Sequence, residues 1–140
     1  MGRIVARILV IDDDDLVRST VEAMLQTMGH EVVLAGNGDQ GLRQLEAGTV
    51  DLIITDVFMP QKEGIETLRE MRRRGIKTAV IVMTGGPSVR LDTHRRADVN
   101  YLQMAKTFGA NATIQKPFSR QQLLAVVDEW LAPAKTSSVC

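Results

Sequence analysis

Asp12, Asp13, Asp56, Thr84 and Lys116 stand at the ends of short, largely apolar runs, and their side-chain types together suit chemistry at phosphorus. Three carboxylates brought near one point repel one another, so one must hold a proton or a cation must offset the charge. A hard divalent ion suits such a set: Mg²⁺ takes a few carboxylates and keeps several waters. Lys116 adds a mobile positive charge that can pair with Asp56 at rest and with a phosphoryl oxygen after reaction. Thr84 offers a hydroxyl donor. A carboxylate with a metal, an ammonium and a hydroxyl around it is equipped to attack phosphorus, because phosphoryl transfer asks the protein chiefly to position and to neutralise charge. The product would be an aspartyl phosphate. Singly these residues mean little: an Asp pair commonly caps a helix, Thr84-Gly85-Gly86 makes a turn and Lys116-Pro117 a loop. Their recurrence at successive run ends is what carries weight.

The runs read as strands. Arg7–Ile11 is a continuous β-branched and aliphatic segment, the pattern of a strand covered on both faces. Glu31–Ala35, Leu52–Thr55, Lys77–Met83 and Ala112–Gln115 follow, each too short for a helix. Between them lie helical spacings. Leu16, Val17, Val21, Met24, Leu25 and Met28 form one, capped by Asp14 or Asp15 and stopped by Gly29. Asp39 to Ala47 forms a second, with Leu42 and Leu45 inward, and Gly64 to Arg74 a third, with Ile65, Leu68 and Met71 on one side. A fourth is expected from Asp98 to Phe108, and a last from Ser119 through Leu123, Leu124, Val127, Trp130 and Leu131 to a stop at Pro133. Alternation of strand and helix with short links predicts a doubly wound α/β fold: five parallel strands with helices on both faces. Parallel strands put all their carboxyl ends on one rim, where ligands bind. With neighbours about 4.8 Å apart, side chains from three central strands meet there.

The chain has 140 residues, enough for one domain with a real core, and 44% hydrophobic content is ordinary for a globular protein. Seventeen basic residues balance seventeen acidic ones, so net charge argues for neither nucleic acid nor an anionic membrane as partner. No apolar run approaches a membrane span, and no signal peptide is legible. A single cysteine, Cys140, excludes an internal disulfide and suggests a reducing, cytoplasmic setting. With only His30 and His94 beside it, structural zinc is not expected. The arginines Arg69, Arg72, Arg73 and Arg74, with Lys77, read as a solvated basic face at a helix end.

Four stretches together resemble the receiver domain of response regulators: Ile8-Leu-Val-Ile-Asp-Asp-Asp14, Asp56-Val-Phe-Met-Pro60 with Gly64, Met83-Thr84-Gly85, and Lys116-Pro117-Phe118. The resemblance covers residues 5–132, with residues 133–140 left as a flexible tail, and implies a stand-alone receiver. It also implies a flavodoxin-like sheet in the order 2-1-3-4-5. By this resemblance Asp56 matches the phosphoacceptor. Asp13 and Asp56, with the backbone carbonyl of Phe58, match direct Mg²⁺ ligands, and Asp12 matches the acid that holds the metal through water. Thr84 matches the switch hydroxyl and Lys116 the phosphate-binding lysine. The bond before Pro117 is often cis in the family, which the small X–Pro preference allows. The implied partners are a histidine kinase or a histidine phosphotransfer protein, and a downstream protein target. The implied role is that of a phosphoacceptor that assists its own phosphorylation and dephosphorylation, not an enzyme acting on other molecules.

Two departures matter. The family's switch aromatic lies three residues before the lysine, and here that position is Thr113. The segment between Thr84 and Lys116 is longer than in common members, with the extra length around Pro87 to Ala97. This loop, rather than an aromatic rotation, is therefore expected to report phosphorylation. Phe58 and Gly86, two residues past Asp56 and Thr84, offer no polar group to an attacking water, so slow loss of phosphate is expected. Two rival readings stay open. One is a pseudo-receiver that binds partners without being phosphorylated. The other is an aspartate-nucleophile phosphatase of the haloacid dehalogenase type, whose general acid would stand where Phe58 is.

Overall fold

The computed structural model describes residues 5–56, 63–85, 106 and 109–139. Within them the five apolar runs form strands β1 (Arg7–Ile11), β2 (Glu31–Ala35), β3 (Leu52–Asp56), β4 (Ala79–Gly85) and β5 (Ala112–Lys116). All pair in parallel, in the order β2-β1-β3-β4-β5, as the resemblance implies. Helices α1 (Asp15–Gln26), α2 (Gly38–Ala47), α3 (Glu63–Arg73) and α4 (Arg120–Val139) cover the sheet.

Strand alternation assigns each side chain to a face. Ile8, Val10, Leu52, Ile54, Ile81, Met83 and Ile114 pack with Val21 and Leu25 of α1 and with Leu123, Val127 and Leu131 of α4. The intervening Leu9, Ile11, Ile53, Val80 and Val82 pack with Ile65, Leu68 and Met71 of α3, with Leu42 and Leu45 of α2 against them. Each fully buried aliphatic side chain contributes about 1.5–3 kcal/mol. The central strands β1, β3 and β4 carry such side chains on both faces, so they are the rigid base of the rim. Trp130 and Met24 pack half-buried against the first cluster, as anchors.

Local chemistry sets the helix starts. Asp14 accepts from the Leu16 and Val17 amides at 2.8 and 3.3 Å, Asn37 from the Gln40 amide at 2.8 Å. Ser119 and Gln122 cap reciprocally, at 3.1 and 2.8 Å. Gly29, at φ 85°, supplies the left-handed residue after α1.

Three expectations are corrected. β4 begins at Ala79, not Lys77. The carbonyls of Ile76 and Thr78 are instead taken by the Arg72 guanidinium, at 2.6 and 2.9 Å. For the same reason Arg72 is no part of a solvated basic face: it is half-buried and also donates to the Gly109 carbonyl and to Asn111 Oδ1. Arg73 and Arg74 are exposed but paired with Glu70, and Arg74 also with Glu46. Finally, α4 does not stop at Pro133 but continues to Val139. Proline removes one amide bond and disfavours a helix interior without forbidding it. The helix expected over 98–108 and the long loop of 87–97 lie outside the described residues, apart from Lys106.

Candidate functional site

Register brings the acids together. Ile11 pairs with Thr55 across β1 and β3, so the next residues, Asp12 and Asp56, stand side by side. Asp56 pairs with Met83 on the other side, and Thr84 follows it, buried. Lys116 ends β5 opposite Gly85.

Asp12 is held at every polar atom. Its amide donates to the Ala35 carbonyl at 3.1 Å, and its carbonyl accepts from Arg18 Nη1 at 2.6 Å. Its Oδ1 accepts from the Asp14 amide at 2.8 Å. Its Oδ2 faces Lys116 Nζ at 3.3 Å, and the same ammonium donates to Asp56 Oδ2 at 3.0 Å. Ligand-capable oxygens of Asp12, Asp13 and Asp56 all lie within 4.8 Å of one another. Asp12 and Asp56 are buried, while Asp13 is exposed and faces solvent at the mouth.

The electrostatics follow from burial. Asp12 is fully buried, which pushes its carboxyl up to about 6; the Asp56 charge adds to this, and the Asp14 amide and Lys116 oppose it. Burial works against the Lys116 ammonium, but Asp56 and Asp12 outweigh it and raise its pKa. One ammonium therefore serves two buried carboxylates, with a third acid close by. The deficit of positive charge is what a divalent cation fits, and the all-oxygen donor set suits a hard one.

Of the residues singled out from sequence, Asp12, Asp13, Asp56 and Lys116 converge, and Thr84 lies on the same rim. Phe58, whose carbonyl is the remaining expected ligand, lies outside the described residues, as does Gly86. Thr113 is half-buried on β5 and lines a groove with Gln115, Lys116, Gln122 and Val126. The Lys116–Pro117 bond is cis. Arg18 was not legible as a site residue. Its signal, a basic residue three positions after Asp15, looks like any helix-surface pair.

A doubly wound parallel sheet with acids, a hydroxyl and a lysine at the carboxyl ends of its central strands defines a flavodoxin-like α/β domain whose acidic rim could hold a metal ion. The family model described as "Response regulator receiver domain" matches residues 8–128, and the chain belongs to that family. It is 33% identical over 119 residues to a transcriptional regulatory protein, DltR, of Streptococcus agalactiae, covering 85% of this chain and 49% of that protein. It is 34% identical over 119 residues to the response regulator MprA of Mycobacterium ulcerans, covering 85% and 47%. The chain thus spans about half the length of these curated relatives. Among solved structures it resembles a CheY-like receiver domain protein from Methanospirillum hungatei, with TM-score 0.80, 26% identity, and coverage of 96% of this chain and 99% of that one.

Proposed function

We propose that residues 5–132 form a phosphoacceptor switch that takes a phosphoryl group on Asp56 from a phosphohistidine donor, a histidine kinase or a phosphotransfer protein. The Asp56 carboxylate attacks phosphorus, the P–N bond breaks, and the imidazole departs with its electron pair. Asp12, Asp13 and Asp56, with the Phe58 carbonyl, would hold Mg²⁺, which when bound supplies positive charge opposite the phosphoryl oxygens. Lys116 leaves its resting pairing with Asp56 to meet the transferred group, and Thr84 donates its hydroxyl to it. Asp12, rigid at all its polar atoms, keeps the rim pre-organised, which is where such catalysis gains most. The chain modifies itself and turns over no other substrate. Its output is contact with a downstream protein, in the cytoplasm where kinases of this type deliver phosphate.

The observation that carries this reading is one ammonium within hydrogen-bond reach of both Asp12 and Asp56, beside a three-carboxylate cluster. Incubation with acetyl phosphate and Mg²⁺ followed by intact-mass measurement tests it. One phosphoryl group is expected on the wild type and none on Asp56→Ala or without metal. An unmodified wild type would favour the pseudo-receiver. Continuous release of phosphate from simple esters would favour the phosphatase, although Phe58 stands where that chemistry wants an acid. Phosphotransfer profiling against candidate kinases then identifies the donor. The balanced charge gives no support for carrying over direct DNA contact from the S. agalactiae relative's transcriptional role.

A further inference from the structure

We propose that Arg18 is a positioning residue for the metal site: its guanidinium fixes the turn between β1 and α1 so that Asp12 and Asp13 stay aimed at Asp56. This rests on reading the three acids as a Mg²⁺ site. Asp12 to Asp15 are four like charges in a row, a sequence that by itself drives the turn apart. Arg18 spans it. Nη1 takes the Asp12 carbonyl at 2.6 Å, and Nη2 pairs with the Asp15 carboxylate. A planar fork that grips both ends of a turn fixes geometry in a way a single point charge does not. The gripped carbonyl belongs to the peptide plane that also contains the Asp13 amide, so holding it sets where Asp13 leaves the strand. Asp13 itself is exposed and depends on that plane for its aim.

The guanidinium is seated as well as bonded. The Arg18 side chain is only 20% exposed, and it lies against Gly36, at the end of β2. A Cβ on Gly36 would stand 3.2 Å from Nη1 and 3.3 Å from Gln40 Oε1. That Gln40 oxygen accepts from the Gly36 amide at 2.7 Å, so the turn into α2 forms a firm floor for the arginine.

Charge and position predict opposite signs, which makes the proposal easy to test. A positive group beside a cation site, acting by charge alone, weakens cation binding. Acting by holding the ligands in place, it strengthens binding. Mg²⁺ affinity is measured by titration calorimetry on the whole chain, with circular dichroism in chelator confirming that each variant is folded. Arg18→Ala is expected to bind Mg²⁺ roughly tenfold more weakly, the low end of what losing an outer-shell partner costs. Arg18→Lys, which keeps the charge but not the fork, should recover only part of the loss. Gly36→Ala keeps the arginine but crowds its seat, and should also weaken binding. Unchanged or tighter Mg²⁺ binding by any folded one of these variants overturns the proposal. A wild type that takes up no Mg²⁺ overturns the metal-site reading beneath it instead.

Discussion

Asp12 is the residue with most to lose from being charged. Its carboxyl, ordinarily at 3.8, is raised to about 6 by burial and by Asp56. A raised carboxyl means the folded chain keeps a proton that the unfolded chain releases. Stability therefore falls as pH rises between those two values, and the deficit persists above them. Asp12→Asn cannot ionise. In chelator above about pH 6 it is expected to unfold about 2–3 kcal/mol less readily than the wild type, with the difference closing below about pH 4. Denaturant titrations across that range check this, and an Asn variant that is less stable at neutral pH would contradict the sign. Saturating Mg²⁺ should shrink the gap, since a ligand that binds only the folded wild type stabilises it. A second residue-scale expectation concerns the phosphorylated form. The Phe58 side chain carries no polar group. Phe58→Asn, which supplies one, should shorten the lifetime of the aspartyl phosphate several-fold, read by its decay after donor removal; an unchanged lifetime removes Phe58 from the account.

At the scale of elements, the site depends on contacts made well away from it. Gly41 of α2 packs on Ile11, the last residue of β1, so tightly that a Cβ would stand 2.5 Å from Ile11 Cδ1. Gly41→Ala must push α2 off the sheet or turn a fully buried Ile11 out of place. Overpacking of this kind costs about 1–3 kcal/mol. Because Ile11 precedes Asp12, slower phosphorylation should accompany the lower unfolding midpoint; a midpoint unchanged from wild type would show that the contact yields freely. At the opposite end of the sheet Arg72 ties the end of α3 to the start of β4 and to Gly109, whose φ of +113° lets the chain pass close by. That clasp was illegible in the sequence. Arg72 stands among four other basic residues, and its partner Gly109 is 37 positions away, so no local pattern separates it from its solvated neighbours. The same limit hid Arg18, whose decisive partner is a backbone carbonyl, a group every residue has. What was legible were features written in side-chain type: the apolar strands, the caps at Asp14 and Ser119, and the polar residue ending each central strand. At Pro133 a local rule misled, because the cost of one missing amide bond did not end the helix.

At the scale of the whole molecule, the proposed phosphoacceptor rim includes two strand ends, those of β4 and β5. Thr84 stands next to the last residue of one and Lys116 ends the other, and in the proposed switch both would change partners when Asp56 carries a phosphoryl group. At the position expected to carry an inward-turning aromatic this chain has Thr113, so the expected reporter is the segment between β4 and β5. β4 ends at Gly85, one residue past Thr84, and before β5 Arg72 donates to the Gly109 carbonyl at 2.6 Å. Were phosphorylation of Asp56 to displace Thr84, the chain that follows it in sequence would take up that displacement. Hydrogen exchange over residues 85–108 is therefore expected to change when beryllofluoride and Mg²⁺ mimic the phosphoryl group, while β1 and β2 amides stay as they were. The change should be lost in Thr84→Ala, which removes the hydroxyl but keeps Asp56 and Lys116. Identical exchange over residues 85–108 with and without the mimic would mean that the signal leaves by another face.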